Sequence, residues 1–480
     1  DKHVPIRAIF ETPTVRSLAA WIDADENKSE LTATISTRLD AEDAPTTFTQ
    51  QQLWILGQMF SGMAAYSIPS NIKFNGELNL ELLQTSLLWI VDRHHILRTI
   101  FQSVDGEPRQ ILLETPKECA IRYFNLIDQP LAERDAKAKA IIRQEARRNW
   151  ELERGPLFRC VVVSITDSQH IICTIFHHII ADGPSVGIFS RELERIYTGL
   201  VDGKSDQIRL PELKLQYSDY AYWERDSIQG DLFQKQLAYW RSKLDQSVPL
   251  EVPTDFPRPS VHNFYGKKVK FSFAKDDLLS IKSFCRTKGC TLFVFFVACY
   301  QYILFLYSGQ DDVLIGTAMT NRVRSELEPL IGLFVNTLPI RTKFISDWTF
   351  SDLVSSVKTT CVEAFSNMEL PFEETVNVIQ PVRDLSKQGS PLFQHMIINQ
   401  PPGRLLKERD SSFEPGESHH DTGYSNFDLL LSTHEIQDTR IDCTLAYDTE
   451  LFREDTINRF IELFCKIVRD LPRHSDQPIS

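Results

Sequence analysis

The sequence predicts an α/β (α+β) fold, in which helices and strands pack around a large core, and three observations support it. The chain has 480 residues, and its 42% hydrophobic and 24% charged residues are typical of a globular protein. Two apolar runs, Cys160–Ile165 and Ile171–Phe176, flank a short polar turn and predict a β-hairpin. Other strand-like runs alternate with helical stretches; they are Ile72–Phe74, Lys268–Phe273, Asp312–Thr317, His395–Asn399, Asp428–His434 and Arg440–Tyr447.

The hairpin leads into FHHIIADGPS, at Phe176–Ser185, and then into a predicted helix. A proline favours the first turn of this helix, and an apolar stripe follows, formed by Val186, Phe189, Leu193, Ile196 and Leu200. Because successive residues of a strand point to opposite faces, only one of His177 and His178 can face a cavity. Asp182 and Gly183 then form a turn in which glycine permits close backbone approach. The alternative is that both histidines are core residues and that Asp182 only caps the helix.

Composition and charge limit the possible functions. The net charge of −13 argues against nucleic acid and anionic membranes as partners. Nine cysteines without a paired framework indicate a reducing, cytoplasmic location. Cys285 and Cys290 lack a second pair, so no metal site is expected, and the first residues show no signal-peptide pattern. The apolar run Thr291–Tyr307 contains Gln301 and ends at a Ser-Gly turn, which predicts a buried helix rather than a membrane span.

HHIIADG has the form HHxxxDG, and further motif-like segments occur before and after it. They are Thr47–Leu56, Asp92–Phe101, Tyr217–Trp223, Ser308–Arg322, Ile331–Arg341, Asn367–Val376 and RDLSKQGSPLF at Arg383–Phe393. In this order they resemble the motifs of nonribosomal peptide synthetase condensation domains, which belong to the chloramphenicol acetyltransferase-like acyltransferases. The resemblance runs from residue 46 to about residue 471. Gln52 and His95 depart from it, because arginine and glutamate are usual at those positions.

The resemblance implies two chloramphenicol acetyltransferase-like lobes, set in a V-shaped pseudo-dimer with a tunnel between them. The N-terminal lobe is expected at residues 46–210 and the C-terminal lobe at residues 211–480, with the boundary in the stretch Val201–Leu215. Residues 1–25 resemble the C-terminal fragment of a peptidyl carrier domain, in which Pro13 opens a short helix. Residues 26–45 are polar and are typical of a linker.

The implied reaction is amide formation, in which the amine of an acceptor aminoacyl thioester attacks the thioester carbonyl of a donor. Both substrates are expected on phosphopantetheine arms of partner carrier domains, and no cofactor is expected to be bound covalently to this chain. The implied partners are an upstream donor carrier on the same polypeptide and a downstream acceptor carrier with its adenylation domain, without nucleic acid or membrane. Because only residues 26–45 separate the carrier-like tail from the lobes, no epimerisation domain fits between them, and an L-configured donor is expected.

The resemblance also supplies candidate site residues. They are His178 and Gly183 as catalytic residues, His177, Asp182, Arg98 and Arg341 as structural residues of the active site, and Asn336 and Ser185 as tunnel-lining residues, with no metal. His178 either takes or relays the proton of the amine or holds the amine by a hydrogen bond. The backbone N–H of Gly183 is expected near the developing oxyanion. Asp182 is expected to pair with Arg98 or Arg341.

Two other functions share this fold and stay open as alternatives. Epimerisation domains also carry HHxxxD, but they usually begin the following helix differently and lack an ending like RDLSKQGSPLF. Non-catalytic recruitment domains generally lose the second histidine or the glycine, whereas His178 and Gly183 are both present here. Pro184 replaces the bulky residue that commonly follows the DG pair, so the acceptor amino acid is not predicted.

Overall fold

The computed structural model describes residues 15–23, 35–38, 43–59, 64–228, 230–259, 263–379, 391–400, 412–416 and 422–479. Helix α1 (Val15–Asp23) is the short helix predicted after Pro13, and none of its residues is buried. The rest of the carrier-like tail, residues 26–34 and 39–42 of the predicted linker, and residues 383–390 of the RDLSKQGSPLF segment lie outside the described residues.

Helices and strands alternate along the chain, as predicted. Those of the first half are β1 (Asp43–Pro45), α2 (Phe48–Met59), β2 (Ser67–Asn75), α3 (Leu80–Arg93), β3 (Thr99–Val104), β4 (Glu107–Leu112), β5 (Ile121–Asn125), α4 (Leu131–Ala146), β6 (Phe158–Thr166), β7 (Gln169–His177), α5 (Gly183–Val201) and α6 (Tyr217–Ser227). Those of the second half are α7 (Asp231–Leu244), β8 (Gly266–Phe273), α8 (Lys275–Lys288), α9 (Leu292–Ser308), β9 (Asp312–Thr320), β10 (Val335–Lys343), α10 (Phe350–Ser366), α11 (Phe372–Ile379), β11 (His395–Gln400), β12 (Phe413–Pro415), β13 (Leu429–Ile436), β14 (Arg440–Asp448) and α12 (Glu454–Asp470).

Two large mixed sheets organise these elements. The first has the strand order β12–β2–β7–β6–β5, and the second has the order β10–β9–β11–β13–β14–β8. Strands β1, β4 and β3 form a small separate sheet. The predicted hairpin is the antiparallel pair β6–β7, whose residues are buried along most of their length. This continuous burial indicates that both faces of the first sheet are covered, which explains why the two strands read as apolar runs.

Four strands of each large sheet repeat the same arrangement. In the order β2–β7–β6–β5, the first two pairs are antiparallel and the last is parallel. The order β8–β14–β13–β11 has the same directions, pair by pair. In both sheets a long helix follows the central hairpin, α5 after β7 and α12 after β14. This repeat confirms the predicted α+β fold built from two similar lobes.

Each lobe has its own hydrophobic core, but the boundary between the lobes differs from the predicted one. Helix α6 contributes Tyr217, Tyr220 and Trp223 to the first core. Phe233, on α7, belongs to the second core. Because burial of three aromatic side chains holds α6 on the first lobe, the boundary lies between α6 and α7 rather than within Val201–Leu215.

The second half of the chain returns to the first lobe in two places. The segment between β9 and β10 adds Leu327, Leu330, Leu333 and Phe334 to the first core. Strand β12 pairs with β2 at the edge of the first sheet. These two exchanged segments hold the lobes together.

Helix α9 is the apolar run that the sequence predicts as buried. Its polar residue, Gln301, donates hydrogen bonds to the carbonyls of Val313 and Ile340 at 3.3 and 3.1 Å and accepts one from Thr342 at 2.9 Å. Among the described helices, none is by itself long and apolar enough to cross a membrane. Helices α8 and α9 meet that standard only as a pair, and a bend of 99° separates them.

Candidate active site

Strand β7 ends at His177, and a 3-10 turn at His178–Ile180 carries the chain towards α5. The ring of His177 is 4% exposed and lies edge-on to Trp150. Its Nδ1 atom accepts a hydrogen bond from the backbone N–H of Ile179 at 3.0 Å. Burial, with the neighbouring positive groups, lowers the pKa of His177 to about 3. His177 is therefore a neutral side chain that holds the turn from inside the core.

His178 points the other way and lines the cavity between the lobes. The residue is half-buried, and its Nδ1 atom is enclosed without a hydrogen-bond partner in the part of the chain that the structure describes. Burial lowers the pKa of His178, and the negative charge of Asp182 opposes this effect. The imidazole is consequently neutral at pH 7, so a ring nitrogen can accept a hydrogen bond or a proton.

The cavity has a volume of about 430 Å³, and both lobes contribute to its wall. Leu53 and Ile68 of the first lobe face it together with Val335 and Phe372 from the second half of the chain. Its polar lining residues are Thr49, Gln52, Tyr66, Ser67, His178, Lys268, Thr337, Glu373, Thr422, Tyr424, Ser425 and Asn426. Apolar walls with a limited set of polar groups are typical of sites that bind small organic molecules.

Asp182 is fully buried, and its carboxylate forms a two-point contact with Arg322. The guanidinium nitrogens donate to the two carboxylate oxygens at 2.6 and 3.0 Å, and the same group lies over the ring of Phe334. The carboxylate also accepts the backbone N–H of Phe334 at 3.1 Å and that of Ser185 at 3.0 Å. Asp182 thus caps α5 and ties the histidine turn to the segment between β9 and β10.

The partner of Asp182 is Arg322, and the predicted pairing with Arg98 or Arg341 is wrong. Arg341 pairs with Asp312 on the neighbouring strand at 2.6 Å and donates to backbone carbonyls at the C-terminal end of α7. The guanidinium of Arg98 instead donates to a backbone carbonyl. Arg322 ends one of the matched motif segments, so the sequence contained it. No local pattern linked it to a residue 140 positions away.

The side chains of Ser185 and Asn336 do not line the cavity, contrary to the prediction. The Ser185 hydroxyl donates to the carboxylate of Asp182 at 2.6 Å. On β10, Val335 and Thr337 face the cavity, so strand alternation points Asn336 the other way. The Asn336 amide donates to two backbone carbonyls before α11, each at 2.7 Å. Both residues therefore fix the loops around the cavity.

Gly183 is exposed at the first position of α5. A Cβ atom at this position would meet nothing within 4 Å, and the residue is not among those with positive φ. Neither strain nor packing explains a glycine here. Its backbone N–H belongs to the first helical turn, where amides have no partner within the helix. The predicted role of this N–H at an oxyanion stays a prediction.

Besides Arg322, two residues of the site were not singled out as candidates from the sequence. Gln50, on α2, donates its side-chain amide to the carbonyl of Ile179 at 3.0 Å and so supports the histidine turn. Glu373 lies on the cavity wall, where burial and the negative charge of Glu224 raise its pKa to about 7. Both residues lie in matched motif segments, and this membership was their one sequence signal.

Known proteins share both the sequence and the fold described above. The family model for "Condensation domain" matches residues 40–480. One of the linear gramicidin synthase proteins of Brevibacillus parabrevis is 35% identical over 483 residues, which cover 100% of this chain and 6% of that protein. Bacitracin synthase 3 from Bacillus licheniformis is 33% identical, covering 99% of this chain and 7% of the relative. The chain therefore spans less than a tenth of the length of these relatives.

Solved structures with the same fold include the X-domain from teicoplanin biosynthesis, with a TM-score of 0.83, 21% identity, and coverage of 93% of this chain and 99% of that one. The first condensation domain of the calcium-dependent antibiotic synthetase, in complex with a substrate analogue, has a TM-score of 0.77, 15% identity, and coverage of 91% and 98%. Two similar lobes around a histidine-lined cavity, with such relatives, define a domain of a nonribosomal peptide synthetase. Within that class, the chain belongs to the condensation-domain family.

Proposed function

We propose that this chain catalyses amide-bond formation between two aminoacyl groups delivered on the phosphopantetheine arms of carrier domains. The observation that carries the proposal is the position of His178, which is neutral and faces a cavity built from both lobes. The amine of the acceptor attacks the thioester carbonyl of the donor, the C–N bond forms, and the C–S bond breaks. The proton lost by the amine ends on the departing thiol.

Positioning of the two substrates supplies most of the rate in this proposal. An α-amino group has a pKa near 8, so an appreciable fraction is already neutral at pH 7. Alignment of two reactants contributes about 7–11 kcal/mol. A general base worth 10²–10⁴-fold contributes roughly 3–5 kcal/mol. The cavity lined by both lobes favours the larger of these contributions.

His178 acts on the attacking amine in this proposal, by accepting its hydrogen bond and by taking or relaying its proton. Asp182 does not orient the imidazole, because Arg322 and backbone amides occupy both of its carboxylate oxygens. Its role is to keep the histidine turn in place. The backbone N–H of Gly183 is the proposed donor to the oxyanion that develops on the thioester carbonyl.

The proposed partners are a donor carrier upstream and an acceptor carrier with its adenylation domain downstream. The similar synthetases support neighbouring domains of this kind, because the match covers only 6–7% of their length. The carrier-like tail is separated from the lobes by residues 26–45 alone, so we assign an L-configured donor delivered by that carrier. A tether of this length gives an effective concentration on the order of millimolar.

The experiment that tests the proposal incubates the chain with separate donor and acceptor carriers, each loaded with an aminoacyl group. Intact-protein mass spectrometry then follows the groups on both carriers. A condensed product on the acceptor carrier supports the proposal. Because inversion of configuration does not change the mass, the aminoacyl groups are also released by hydrolysis and separated by chiral chromatography. Inversion on one loaded carrier, without condensation, would indicate an epimerisation domain. Carriers that bind but remain unchanged across many aminoacyl pairs would indicate a recruitment domain.

A further inference from the structure

Glu373 lies on the cavity wall where α11 meets α2, and one of its carboxyl oxygens has no partner. It lines the cavity beside Thr49 and Phe372. The Oε2 atom is enclosed, with no hydrogen bond from any residue within the described ranges. The hydroxyl of Thr49 interacts with the same carboxyl group. Because a buried acceptor without a donor is costly, a donor that enters the cavity binds favourably at this oxygen.

Two further carboxyl groups, those of Glu224 and Glu374, add negative charge beside Glu373. Glu224 accepts hydrogen bonds from the backbone N–H of Phe48 at 2.9 Å and from a tyrosine hydroxyl at 3.1 Å. Glu374 accepts one from a side-chain amide at 3.1 Å. These donors are all neutral. Among the residues that the structure describes, none forms an ion pair with any of the three carboxyl groups.

The charge of Arg225 acts on all three carboxyl groups, but its guanidinium group donates its hydrogen bonds to other residues. It donates to the carbonyl of Thr46 at 2.8 Å and to the side chain of Gln51 at 2.7 Å. Lys268 also lines the cavity, but it interacts with another group. It is not among the charged groups that shift the pKa of Glu373. Burial and the two neighbouring carboxyl groups therefore raise the pKa of Glu373 to about 7.

A second unpartnered acceptor lines the same cavity. The Oδ1 atom of Asn426 is enclosed and receives no hydrogen bond from the described part of the chain. The carboxylate that acts on His178 is Asp182, whereas those that act on Glu373 are other residues. Glu373, on α11, and His178, in the turn after β7, both line this cavity. The wall at Glu373 is rich in acceptors, and no cation within the described ranges donates a hydrogen bond to its carboxyl group.

We propose that Glu373 forms a subsite for a primary ammonium group carried by a substrate. The proposal rests on the proposed function, because that function makes the ligand an aminoacyl group. Two sources offer this chemistry, the α-ammonium group of the acceptor and a cationic side chain on either substrate. An ammonium group brings three donors and a positive charge, so it both satisfies the free oxygen and offsets the surrounding carboxylates. A neutral donor satisfies the free oxygen but does not offset the charge of the carboxylates.

The test measures binding to the complete 480-residue chain, without a condensation step. The probes are amides of amino-pantetheine, in which an N–H group replaces the thioester sulfur, bearing glycyl, N-acetyllysyl or N-acetylnorleucyl groups. The first offers only an α-ammonium group, the second only a side-chain ammonium group, and the third neither. Calorimetry compares the unmodified chain with E373Q. The matched control is E374Q, whose side chain lies in the same acidic corner but does not line the cavity.

We expect E373Q to weaken binding of one or both ammonium probes about tenfold or more, and to change binding of the N-acetylnorleucyl probe less than about twofold. A loss confined to the glycyl probe identifies the α-ammonium group, and a loss confined to the N-acetyllysyl probe identifies a side chain. E374Q is expected to change each affinity less than about threefold. If E373Q does not fold, E373M allows the same comparison.

Three results would overturn this proposal. They are unchanged affinity of both ammonium probes in E373Q, equal weakening of all three probes, and an equal effect in E374Q. The proposed function is decided separately, because condensation by the unmodified chain does not depend on the outcome of these binding measurements.

Discussion

Both lobes contain a central hairpin followed by a long helix, but the two hairpins contribute different side chains to the cavity. In the first lobe, β7 ends at His177, and His178 enters the cavity. In the second lobe, β14 ends at Asp448, and the hydroxyl of Thr449 donates to a backbone carbonyl of its own lobe at 3.2 Å. The second hairpin lines the cavity only through apolar side chains, those of Leu430 and Ala446.

Each lobe also contains a buried ion pair, and the two pairs differ in where the arginine comes from and in how exposed it is. Asp182 pairs with Arg322, which reaches it from the second half of the chain and has a side chain that is 5% exposed. Asp428, directly before β13, pairs with Arg258 of its own lobe, whose side chain is 20% exposed. The repeated hairpin and helix therefore supply only a scaffold. Contacts between the lobes turn one of the two copies into a site.

The largest effect is expected from loss of Asp182. Because D182A leaves Arg322 as an uncompensated buried charge, we expect its free energy of unfolding to fall by roughly 3–5 kcal/mol. D428A is the matched variant in the second lobe. Arg258 is partly exposed and regains water, so we expect a loss of about 1–3 kcal/mol. Urea unfolding followed by tryptophan fluorescence measures both. Equal losses would contradict the distinction between the two ion pairs.

A pH dependence is expected from Glu224, a buried acid of the first lobe that lacks an ion-pair partner among the described residues. Burial raises its pKa from 4.5 to about 7, so the folded chain holds this proton more tightly than the unfolded chain does. The stabilisation is fully present below pH 4.5 and is lost as the pH rises through about 7. The unmodified chain should therefore lose roughly 2–3 kcal/mol from this group between pH 5 and 8.

E224Q removes this titration and keeps the size of the side chain. Its free energy of unfolding should fall less steeply between pH 5 and 8 than that of the unmodified chain, as measured by urea titrations at each pH. An unchanged pH dependence in E224Q would show that other groups titrate over this range.

A smaller effect is expected from Gly332, on the segment that crosses to the first lobe. A Cβ atom there would lie 1.9 Å from the ring of Tyr217, whose hydroxyl donates to the carbonyl of Leu333 at 2.6 Å. Overpacking of this kind costs about 1–3 kcal/mol, so G332A should unfold at lower urea concentration. G183A is the control, because a methyl group there enters open space, and we expect a change below about 0.5 kcal/mol. The reverse order of stability would refute this packing.

Local patterns were sufficient to predict the elements that carry the site. The apolar runs of β6 and β7, the stripe of α5 and the continuous apolar run of α9 each form the predicted element. Pairings across the chain were not predictable in the same way. Arg98, Arg341 and Arg322 all lie in motif segments, and only the three-dimensional arrangement of the lobes selects Arg322 for Asp182.

The errors at the lobe boundary and at the cavity wall have physical reasons. Gly, Asp and Pro in Val201–Leu215 mark a turn, but the aromatic side chains of α6 keep the chain on the first lobe beyond it. Asn336 is polar and close to the cavity, yet the register of β10 sends its side chain to the other face. Register and long-range packing, rather than composition, decide both outcomes.

The most direct test of the account compares His178 with the residue at the equivalent position of the second hairpin, Thr449. The rate of condensation between two loaded carriers is measured for H178A and T449A, with unfolding curves for each. We expect H178A to lose about 10²-fold or more of the rate while it unfolds like the unmodified chain, and T449A to keep its rate. Full activity of H178A, or a loss of rate that merely follows its unfolding, would contradict the claim that the first hairpin carries the chemistry.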